Sequence, residues 1–197
     1  MLAINAKGFL EGDGPLTYRL SPSPFKNERP LGMPIDLLVL HFISLPPGVF
    51  EGDDVEALFM GRLDTSKDPF YAELQGLEVS SHFFIRRTGE VVQFVSTLSR
   101  AWHAGVSSFE GRTNCNDFSC GIELEGNEKT PFTDEQYQAL STVVMLLAQR
   151  HPIQWVTGHE FIAPGRKIDP GPYFDWARFS QTLPKGLRVV TKPFALP

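Results

Sequence analysis

The stretch IDLLVLHFI, residues 35–43, decides the fold class of this chain. It is a short and nearly continuous apolar run containing Val and Ile, a pattern typical of a strand buried at the centre of a sheet. The residues Pro46, Pro47 and Gly48 end it with a turn signal. His41 falls in the carboxyl-terminal half of this predicted strand, which is where ligands bind in open α/β sheets.

The segments on either side predict further strands and helices in alternation. Thr88, Gly89 and Glu90 form a turn signal between two strand-like runs, which indicates a hairpin. Thr133 and Gln136 form a capping box, and the apolar residues that follow recur at helical spacing. The predicted elements are a helix at 54–63, strands at 79–87 and 91–95, a strand at 117–125, a helix at 134–150, a strand at 155–157 and a helix at 173–183. This order predicts an α/β fold, with a central mixed β-sheet flanked by helices.

Length and composition fit one soluble globular domain. Hydrophobic residues make up 42% and charged residues 21% of the 197 residues, which are ordinary proportions. The segment 1–34 is rich in Pro, Ser and charge, so we predict an N-terminal arm that packs on the domain. The predicted main domain covers 35–184, and 185–197 form a C-terminal tail.

The charge of the chain and the lengths of its apolar stretches argue against two classes of partner, nucleic acids and membranes. The formal net charge is -5 and no run of Lys and Arg occurs, so we expect no nucleic-acid binding. No stretch approaches the roughly 18 apolar residues of a membrane span, and the N-terminus lacks a signal-peptide pattern. Cys115 and Cys120 match no common metal or redox spacing and are predicted to be reduced structural thiols. We therefore predict a cytoplasmic protein without a membrane partner.

Several familiar catalytic motifs are excluded by the sequence. His159 and Glu160 begin like the helix motif H-E-x-x-H, but Ala163 stands at the position of its second histidine. No G-x-S-x-G nucleophile elbow and no G-x-x-x-x-G-K-[ST] phosphate loop occur. The sequence therefore gives no support for serine hydrolase or phosphate-loop chemistry.

Two histidines and an aspartate form a candidate metal site. His159 follows a short predicted strand and opens a loop, residues 160–172, whose three prolines and two glycines limit its conformations. Such a loop can present Lys167 and Asp169 in a fixed relation to His159. Two imidazoles and one carboxylate are a three-ligand zinc set that leaves a fourth position for water, whose pKa falls to about 7. The alternative is that His41 and His159 are hydrogen-bonded core residues at strand ends.

Glu123 is a candidate general base. Strand alternation places it on the face opposite Ile122 and Leu124. A carboxylate within a central strand needs charged or hydrogen-bonding partners, and a catalytic water is one such partner. The alternative is an edge strand with glutamates that face solvent.

The remaining histidines allow more than one interpretation. His82 fits a core position or a contact behind the site. His103 follows Trp102 in a loop of small residues, which suits a pocket wall that contacts ligand or a packed aromatic with an incidental histidine. His151 stands at the end of the long predicted helix, where the helix macrodipole would favour its positive charge.

Several blocks in order resemble one family. They are Leu40–Gly48, Val79–His82, Arg100–Ser108, Cys115–Gly126, Thr157–His159, Ile162–Lys167 and Asp169–Pro172. Together they resemble the 1,6-anhydro-N-acetylmuramoyl-L-alanine amidases of the AmpD type, over about residues 15–182. The resemblance implies the fold shared by peptidoglycan recognition proteins and phage amidases, and it makes residues 35–184 a zinc amidase catalytic domain.

The resemblance also implies an activity and roles for individual residues. The predicted reaction is hydrolysis of the amide between the lactyl group of (1,6-anhydro)-N-acetylmuramic acid and L-alanine in small muropeptides, during peptidoglycan recycling. Zn²⁺ would be bound by His41, His159 and Asp169, with Glu123 handling the proton of the attacking water and Lys167 stabilising the oxyanion. The predicted substrate contacts are Trp102, His103, Ala104 and Arg166.

Three points stay open at the level of sequence. The residues that depart from what the family leads us to expect are Phe42, Glu78, Asn114, Glu160 and Phe161. These departures leave open the contacts to sugar and peptide, and with them the preference for the anhydro sugar. A peptidoglycan-binding module of the same fold that does not cut is one alternative function. An amidase that acts on intact cell wall is another. No obligate protein partner is evident.

Overall fold

A computed structural model describes residues 1–194 of the chain. Its strands are β1 (Ala3–Ile4), β2 (Leu10–Glu11), β3 (Tyr18–Leu20), β4 (Lys26–Asn27), β5 (Leu37–Ile43), β6 (Phe83–Ile85), β7 (Val91–Gln93), β8 (Arg100–Ala101), β9 (Ser108–Phe109), β10 (Arg112–Thr113), β11 (Ser119–Glu125), β12 (Trp155–Gly158) and β13 (Arg188–Val190). Its α-helices are α1 (Asp54–Phe59), α2 (Asp134–Arg150), α3 (His159–Ile162) and α4 (Trp176–Ser180). Two 3₁₀ helices cover Pro69–Leu74 and Cys115–Asp117.

The main sheet has seven strands in the order β13-β12-β5-β11-β6-β7-β3. The first five run parallel to one another, and β7 and β3 run in the opposite direction. The predicted α/β fold with a central mixed sheet is therefore confirmed. The carboxyl ends of β12, β5 and β11 lie at one edge of the sheet, where parallel α/β sheets bind ligands.

The two long strands at the centre of the sheet, β5 and β11, are buried over most of their length. Residues 37–40 of β5 are fully buried, as the continuous apolar run predicts. Its neighbour β11 is enclosed between β5 and β6 and is buried along its whole length. The interpretation of Glu123 as a solvent-facing residue on an edge strand is therefore wrong, because a paired strand covers β11 on both sides.

Helix α2 has the predicted bounds and the predicted capping box. The Thr133 hydroxyl accepts from the Gln136 N–H at 3.1 Å, and the Gln136 side chain accepts from the Thr133 N–H at 3.1 Å. Tyr137, Leu140 and Val144 lie on its buried face and join the largest apolar cluster with residues of the sheet. This helix covers one face of the sheet and holds the strands that carry the site.

Several predicted elements differ in extent or type from the structure, and the strands predicted over 79–87 and 91–95 are limited to Phe83–Ile85 and Val91–Gln93. The helix predicted over 54–63 ends at Phe59, and Gly61 follows it with a φ of 66°, a conformation that stops a helix. The helix predicted over 173–183 is limited to Trp176–Ser180 and begins where Asp175 caps the Arg178 N–H. The residues after His159, predicted as a loop, form the short helix α3.

Both terminal segments contribute strands to the main sheet. Strand β3 of the predicted arm pairs with β7 at one edge, and β13 of the predicted tail pairs with β12 at the other. Residues 195–197 of that tail lie outside the described residues. The division into an arm, a catalytic domain and a tail stays a prediction. Among residues 1–194, no helix has the length and apolar character required to cross a bilayer.

Candidate metal centre and active site

The register of three parallel strands brings the candidate residues together. Gly158 of β12 pairs with Leu40 of β5, so His159 follows at the level of His41. On the other side of β5, Glu123 pairs directly with His41. Residues that are more than 30 positions apart in the sequence are therefore neighbours at the carboxyl edge of the sheet.

Asp169 reaches the same place because its loop is tied to α3. The Glu160 N–H donates to the Asp169 carbonyl at 2.9 Å. A Cβ at Gly158 would lie 2.6 Å from Cδ of Pro170, so the absence of a side chain there lets the loop pack against the end of β12. The departure at position 160 from the family pattern therefore involves a backbone contact with a candidate ligand.

Three donor atoms form a compact triangle at this edge. His41 Nδ1 lies 3.0 Å from His159 Nδ1 and 2.9 Å from Asp169 Oδ2, and the third side measures 3.0 Å. The three residues are buried, and their donor atoms all lie within 4.8 Å of one another. Donors at about 2.1 Å from a tetrahedral Zn²⁺ stand about 3.4 Å apart, so the three atoms need only separate slightly to hold such an ion.

The hydrogen-bond partners of Nε2 in His41 and His159, the ring nitrogens that point away from the triangle, determine which nitrogen is free to bind a metal. His159 Nε2 lies 3.0 Å from the Ala104 carbonyl oxygen, an obligate acceptor. The N–H of His159 is therefore on Nε2, and Nδ1 presents a lone pair to the triangle. His41 Nε2 lies 3.0 Å from His103 Nδ1 in the equivalent position. Metal-binding histidines generally have such partners on their second nitrogen.

The electrostatics of the cluster favour deprotonated ligands. Burial lowers the pKa of His41 to about 4, and the neighbouring His159 acts in the same direction. Burial by itself would raise the pKa of Asp169, but the adjacent imidazoles of His159 and His41 lower it overall. A neutral imidazole and a carboxylate are the forms that bind Zn²⁺.

Glu123 stands beside the triangle with one oxygen unpaired. Its Oε1 is 4.0 Å from His41 Nδ1, and its buried Oε2 has no hydrogen-bond partner within residues 1–194. Burial raises the pKa of Glu123 well above its usual value, the Asp169 charge adds to this effect, and the Lys167 charge opposes it. A buried carboxylate oxygen without a partner is costly unless it serves a ligand or a water.

A cavity of about 320 Å³ opens above the cluster. Its polar end contains the three candidate ligands with Glu123 and Lys167, and Trp102 and His103 also line it. Its other side is an apolar wall that the sequence analysis missed, formed by Leu58, Phe59, Phe70, Leu74 and Leu77. Phe70 and Leu77 of this wall are 38% and 43% exposed. Phe42, one of the departures from the family pattern, lines the cavity as well.

The predicted substrate contacts fall into two groups. Trp102 faces the cavity, and its indole N–H donates to Asn27 Oδ1 at 2.9 Å. Ala104 and Arg166 are outside the lining of the cavity. Arg166 donates to the Ala104 carbonyl at 2.9 Å and to the Val106 carbonyl at 2.6 Å, so it supports the loop behind His159. A role for any of these residues in substrate contact stays a prediction.

The two other histidines belong to the interior. His82 is fully buried, its Nδ1 accepts from the Gly121 N–H at 3.0 Å, and its Nε2 lies 3.1 Å from the Ser99 carbonyl. His151 is also buried, and burial lowers its pKa to about 4. The interpretation of His151 as a cation at a helix end is therefore wrong, because the folded chain holds it neutral beside Thr97 Oγ1 at 2.8 Å.

The chain is similar to known amidases in sequence and in fold. The model of the N-acetylmuramoyl-L-alanine amidase family matches residues 31–172. The 1,6-anhydro-N-acetylmuramyl-L-alanine amidase AmpD of Enterobacter cloacae is 51% identical over 176 residues, which are 88% of this chain and 94% of that protein. The crystal structure of a selenomethionine AmpD derivative superposes with a TM-score of 0.87 at 49% identity, covering 93% of this chain and all 100% of the other.

Two further solved structures are more distant. One is a complex of the Escherichia coli amidase AmiD with the substrate anhydro-N-acetylmuramic acid-L-Ala-D-γ-Glu-L-Lys. It has a TM-score of 0.58 at 27% identity and covers 92% of this chain and 65% of that chain. The other is PGRP-SA of Apis mellifera, with a TM-score of 0.60 at 14% identity over 90% of this chain and 99% of the other, a likeness of fold alone. The predicted fold type is confirmed by these neighbours.

Proposed function

Because this chain belongs to the N-acetylmuramoyl-L-alanine amidase family and is similar to its AmpD type over most of its length, we propose that it cleaves anhydromuropeptides with a Zn²⁺ ion. The bond cut is the amide between the lactyl group of 1,6-anhydro-N-acetylmuramic acid and L-alanine. The observation that carries the proposal is the triangle of His41, His159 and Asp169 beside the unpaired oxygen of Glu123. The AmpD names of the relatives and the muropeptide bound to AmiD support the class of substrate.

The donor set suits zinc, and His41, His159 and Asp169 would hold it through two nitrogens and one oxygen. When bound, the ion supplies Lewis-acid polarisation of the scissile carbonyl and lowers the pKa of water to about 7. The three side chains are buried, so their ligand atoms have little contact with solvent outside the cavity. The parallel register of β5 and β12 places the backbones of His41 and His159 side by side.

Glu123 carries the proton through the reaction. Its free oxygen accepts a proton from the water that attacks the lactyl carbonyl carbon, forming the new C–O bond. The same carboxyl then delivers that proton to the nitrogen of L-alanine as the C–N bond breaks. The products are a carboxylic acid on the sugar side and a free amine on the peptide side. A raised pKa suits a group that must both take and give a proton near neutral pH.

Lys167 supplies positive charge where the carbonyl oxygen becomes negative. Its ammonium lines the same cavity and is close enough to lower the pKa of Glu123 and of His41. A fixed cation beside a developing oxyanion stabilises the transition state more than the ground state. The apolar wall opposite buries the carbon surface of the ligand, which is the usual division of a binding cavity.

We expect Lys167→Met to lower kcat by about 10²-fold, the usual cost of removing one oxyanion donor. The Lys167→Arg variant keeps the charge and should retain more activity than Lys167→Met. Single-turnover kinetics on anhydromuramoyl tripeptide, with zinc content measured in parallel, check this prediction. A full loss of zinc in Lys167→Met would instead make Lys167 part of the ligand site.

The direct test compares three substrates with the purified, zinc-loaded protein. Mass spectrometry follows peptide release from anhydromuramoyl tripeptide, from the tripeptide carrying reducing-end muramic acid, and from intact peptidoglycan. Faster release from the anhydro form supports the proposal. Faster release from intact peptidoglycan favours the wall amidase, and binding without release from any substrate favours the binding module.

Cytoplasmic location is part of the same proposal, since a recycling amidase must meet fragments that have entered the cell. The free, buried thiols of Cys115 and Cys120 are compatible with a reducing compartment. Fractionation of cells that express the full chain tests this location, and recovery in an extracytoplasmic fraction would contradict it.

A further inference from the structure

Two adjacent residues supply the outer partners of both imidazoles in the cluster. His103 Nδ1 lies 3.0 Å from His41 Nε2, and the Ala104 carbonyl lies 3.0 Å from His159 Nε2. One buried side chain fixes the backbone of this dipeptide, because Asn116 Oδ1 accepts from the N–H of His103 at 3.1 Å and of Ala104 at 2.8 Å.

A chain of hydrogen bonds behind His41 has a single possible direction. The Cys115 carbonyl can only accept, and it lies 2.6 Å from Ser119 Oγ, so the hydroxyl proton of Ser119 points to it. Ser119 Oγ must then accept from His103 Nε2 at 3.2 Å. A neutral ring has one N–H, so His103 Nδ1 is an acceptor and receives the N–H of His41. The lone pair of His41 Nδ1 is thereby directed at the triangle.

We propose that His103 is a positioning residue: it fixes the tautomer and ring orientation of His41 through a relay that ends at the Cys115 carbonyl. The proposal rests on the proposed function for the identity of the ion but not for the direction of the relay, which the protein sets by itself. Without His103, the outer nitrogen of His41 would lack its acceptor, and the ring could rotate or change tautomer. Outer partners of this kind change metal affinity by about 10- to 100-fold when they are removed.

The space that the His103 ring occupies provides a second and independent observation. A Cβ at Gly121 would lie 2.5 Å from Cγ and 2.6 Å from Nδ1 of His103, so the ring occupies the space that any side chain at 121 would need. Gly121 cannot move away easily, because its carbonyl accepts from the His82 N–H at 3.2 Å and its own N–H donates to the same residue. Strand β11 therefore carries both the catalytic Glu123 and the glycine that admits the relay.

The first test measures zinc affinity by competition with a chromogenic chelator. We expect His103→Leu to weaken zinc binding by about 10- to 100-fold. The His103→Asn variant should recover most of the loss, because its amide oxygen lies where Nδ1 of the histidine was and can accept from His41. Gly121→Ala should also weaken binding, although it removes no hydrogen-bonding group. The control is His151→Leu, which removes a buried imidazole away from the cavity and should leave zinc affinity unchanged.

The second test determines the tautomers of His103 and His41 by NMR spectroscopy and does not depend on enzyme activity. Long-range ¹⁵N–¹H correlation spectra of the wild-type protein should show His103 and His41 protonated at Nε2 and bare at Nδ1, with and without zinc. In Ser119→Ala, the His103 signals should shift towards a mixture of tautomers, because the acceptor for Nε2 is gone. A purely structural role for His103 would change thermal stability but not this pattern.

Two outcomes would overturn the proposal. One is His103 protonated at Nδ1 in the wild-type protein, which would reverse the relay. The other is equal zinc affinity in the wild type and in folded His103→Leu. If the wild type binds no zinc, the metal part of the proposed function fails, while the tautomers of the metal-free protein still decide the relay. If His103→Leu does not fold, His103→Asn, Gly121→Ala and the wild-type spectra carry the test.

Discussion

Glu123→Gln is expected to lower kcat on anhydromuramoyl tripeptide by about 10²- to 10⁴-fold while zinc stays bound, the range for loss of a general acid–base group. The amide keeps the size and burial of the carboxyl but cannot take the proton of the attacking water. The three candidate ligands do not include Glu123, so the binding triangle is intact in this variant.

The matched control for this prediction is a substitution of Glu125, two residues further along strand β11. Glu125 is buried like Glu123, but its Oε2 accepts from the Arg87 N–H at 2.8 Å and it is outside the cavity lining. We expect Glu125→Gln to affect stability more than kcat. A Glu123→Gln enzyme with full turnover would remove Glu123 from the mechanism, whatever its zinc content.

The dependence of kcat on pH distinguishes protonation of Glu123 from protonation of the metal ligands. Glu123 accepts a proton only when it is deprotonated, and burial raises its pKa, so kcat should fall as the pH drops through that raised value. In Glu123→Gln this limb should disappear from the residual activity. Loss of zinc in acid, from protonation of the ligands, would remain in both proteins, and zinc content measured at each pH identifies it. An unchanged acid limb at constant zinc content would contradict the assignment.

The elements that the sequence predicted well are those with strong local signals. The apolar run at 35–43 and the capping box of Thr133 determine β5 and α2 without reference to the rest of the chain. The helix predicted over 173–183 is too long at both ends, because Asp175 caps its start and the Thr182 side chain contacts Ser141 of α2, neither of which helical periodicity encodes. His151 was misinterpreted for a similar reason, since its burial depends on residues far away in sequence.

The site residues were predicted as a set, whereas their spatial relations were not. Nothing local in the sequence states that Gly158 pairs with Leu40 or that Glu123 pairs with His41, yet these registers assemble the cluster. The relay through His103 and the apolar wall of the cavity were missed, because both depend on side chains from separate segments meeting after folding. The glycine at 121 was the one available signal, a residue without a side chain inside a strand, which often marks a close approach.

Asp169→Ala and His159→Ala are expected to lose zinc and to lower activity by about 10³-fold or more. Each removes one of three ligands, and the Lewis-acid contribution of a catalytic metal is several kcal/mol, at about 1.4 kcal/mol for each factor of ten in rate. Asp169→Asn is the more demanding variant, because it keeps the shape of the side chain and removes the charge that faces both imidazoles. We expect it to bind zinc more weakly than the wild type and more tightly than Asp169→Ala.

Removal of the metal ion and its return test the same requirement for zinc without a mutation. Dialysis of the wild type against a strong chelator should abolish peptide release, and one equivalent of Zn²⁺ should restore it, while His159→Ala should gain little from added zinc. The fold should persist through this cycle, because the strands of the site pair with one another and α2 packs on the sheet through apolar contacts, so circular dichroism is expected to change little. His151→Ala serves as the control for the loss of a buried imidazole. Full activity after complete removal of the metal would mean that the triangle serves another purpose, and Glu123 and Lys167 would then have to act on the amide without a Lewis acid.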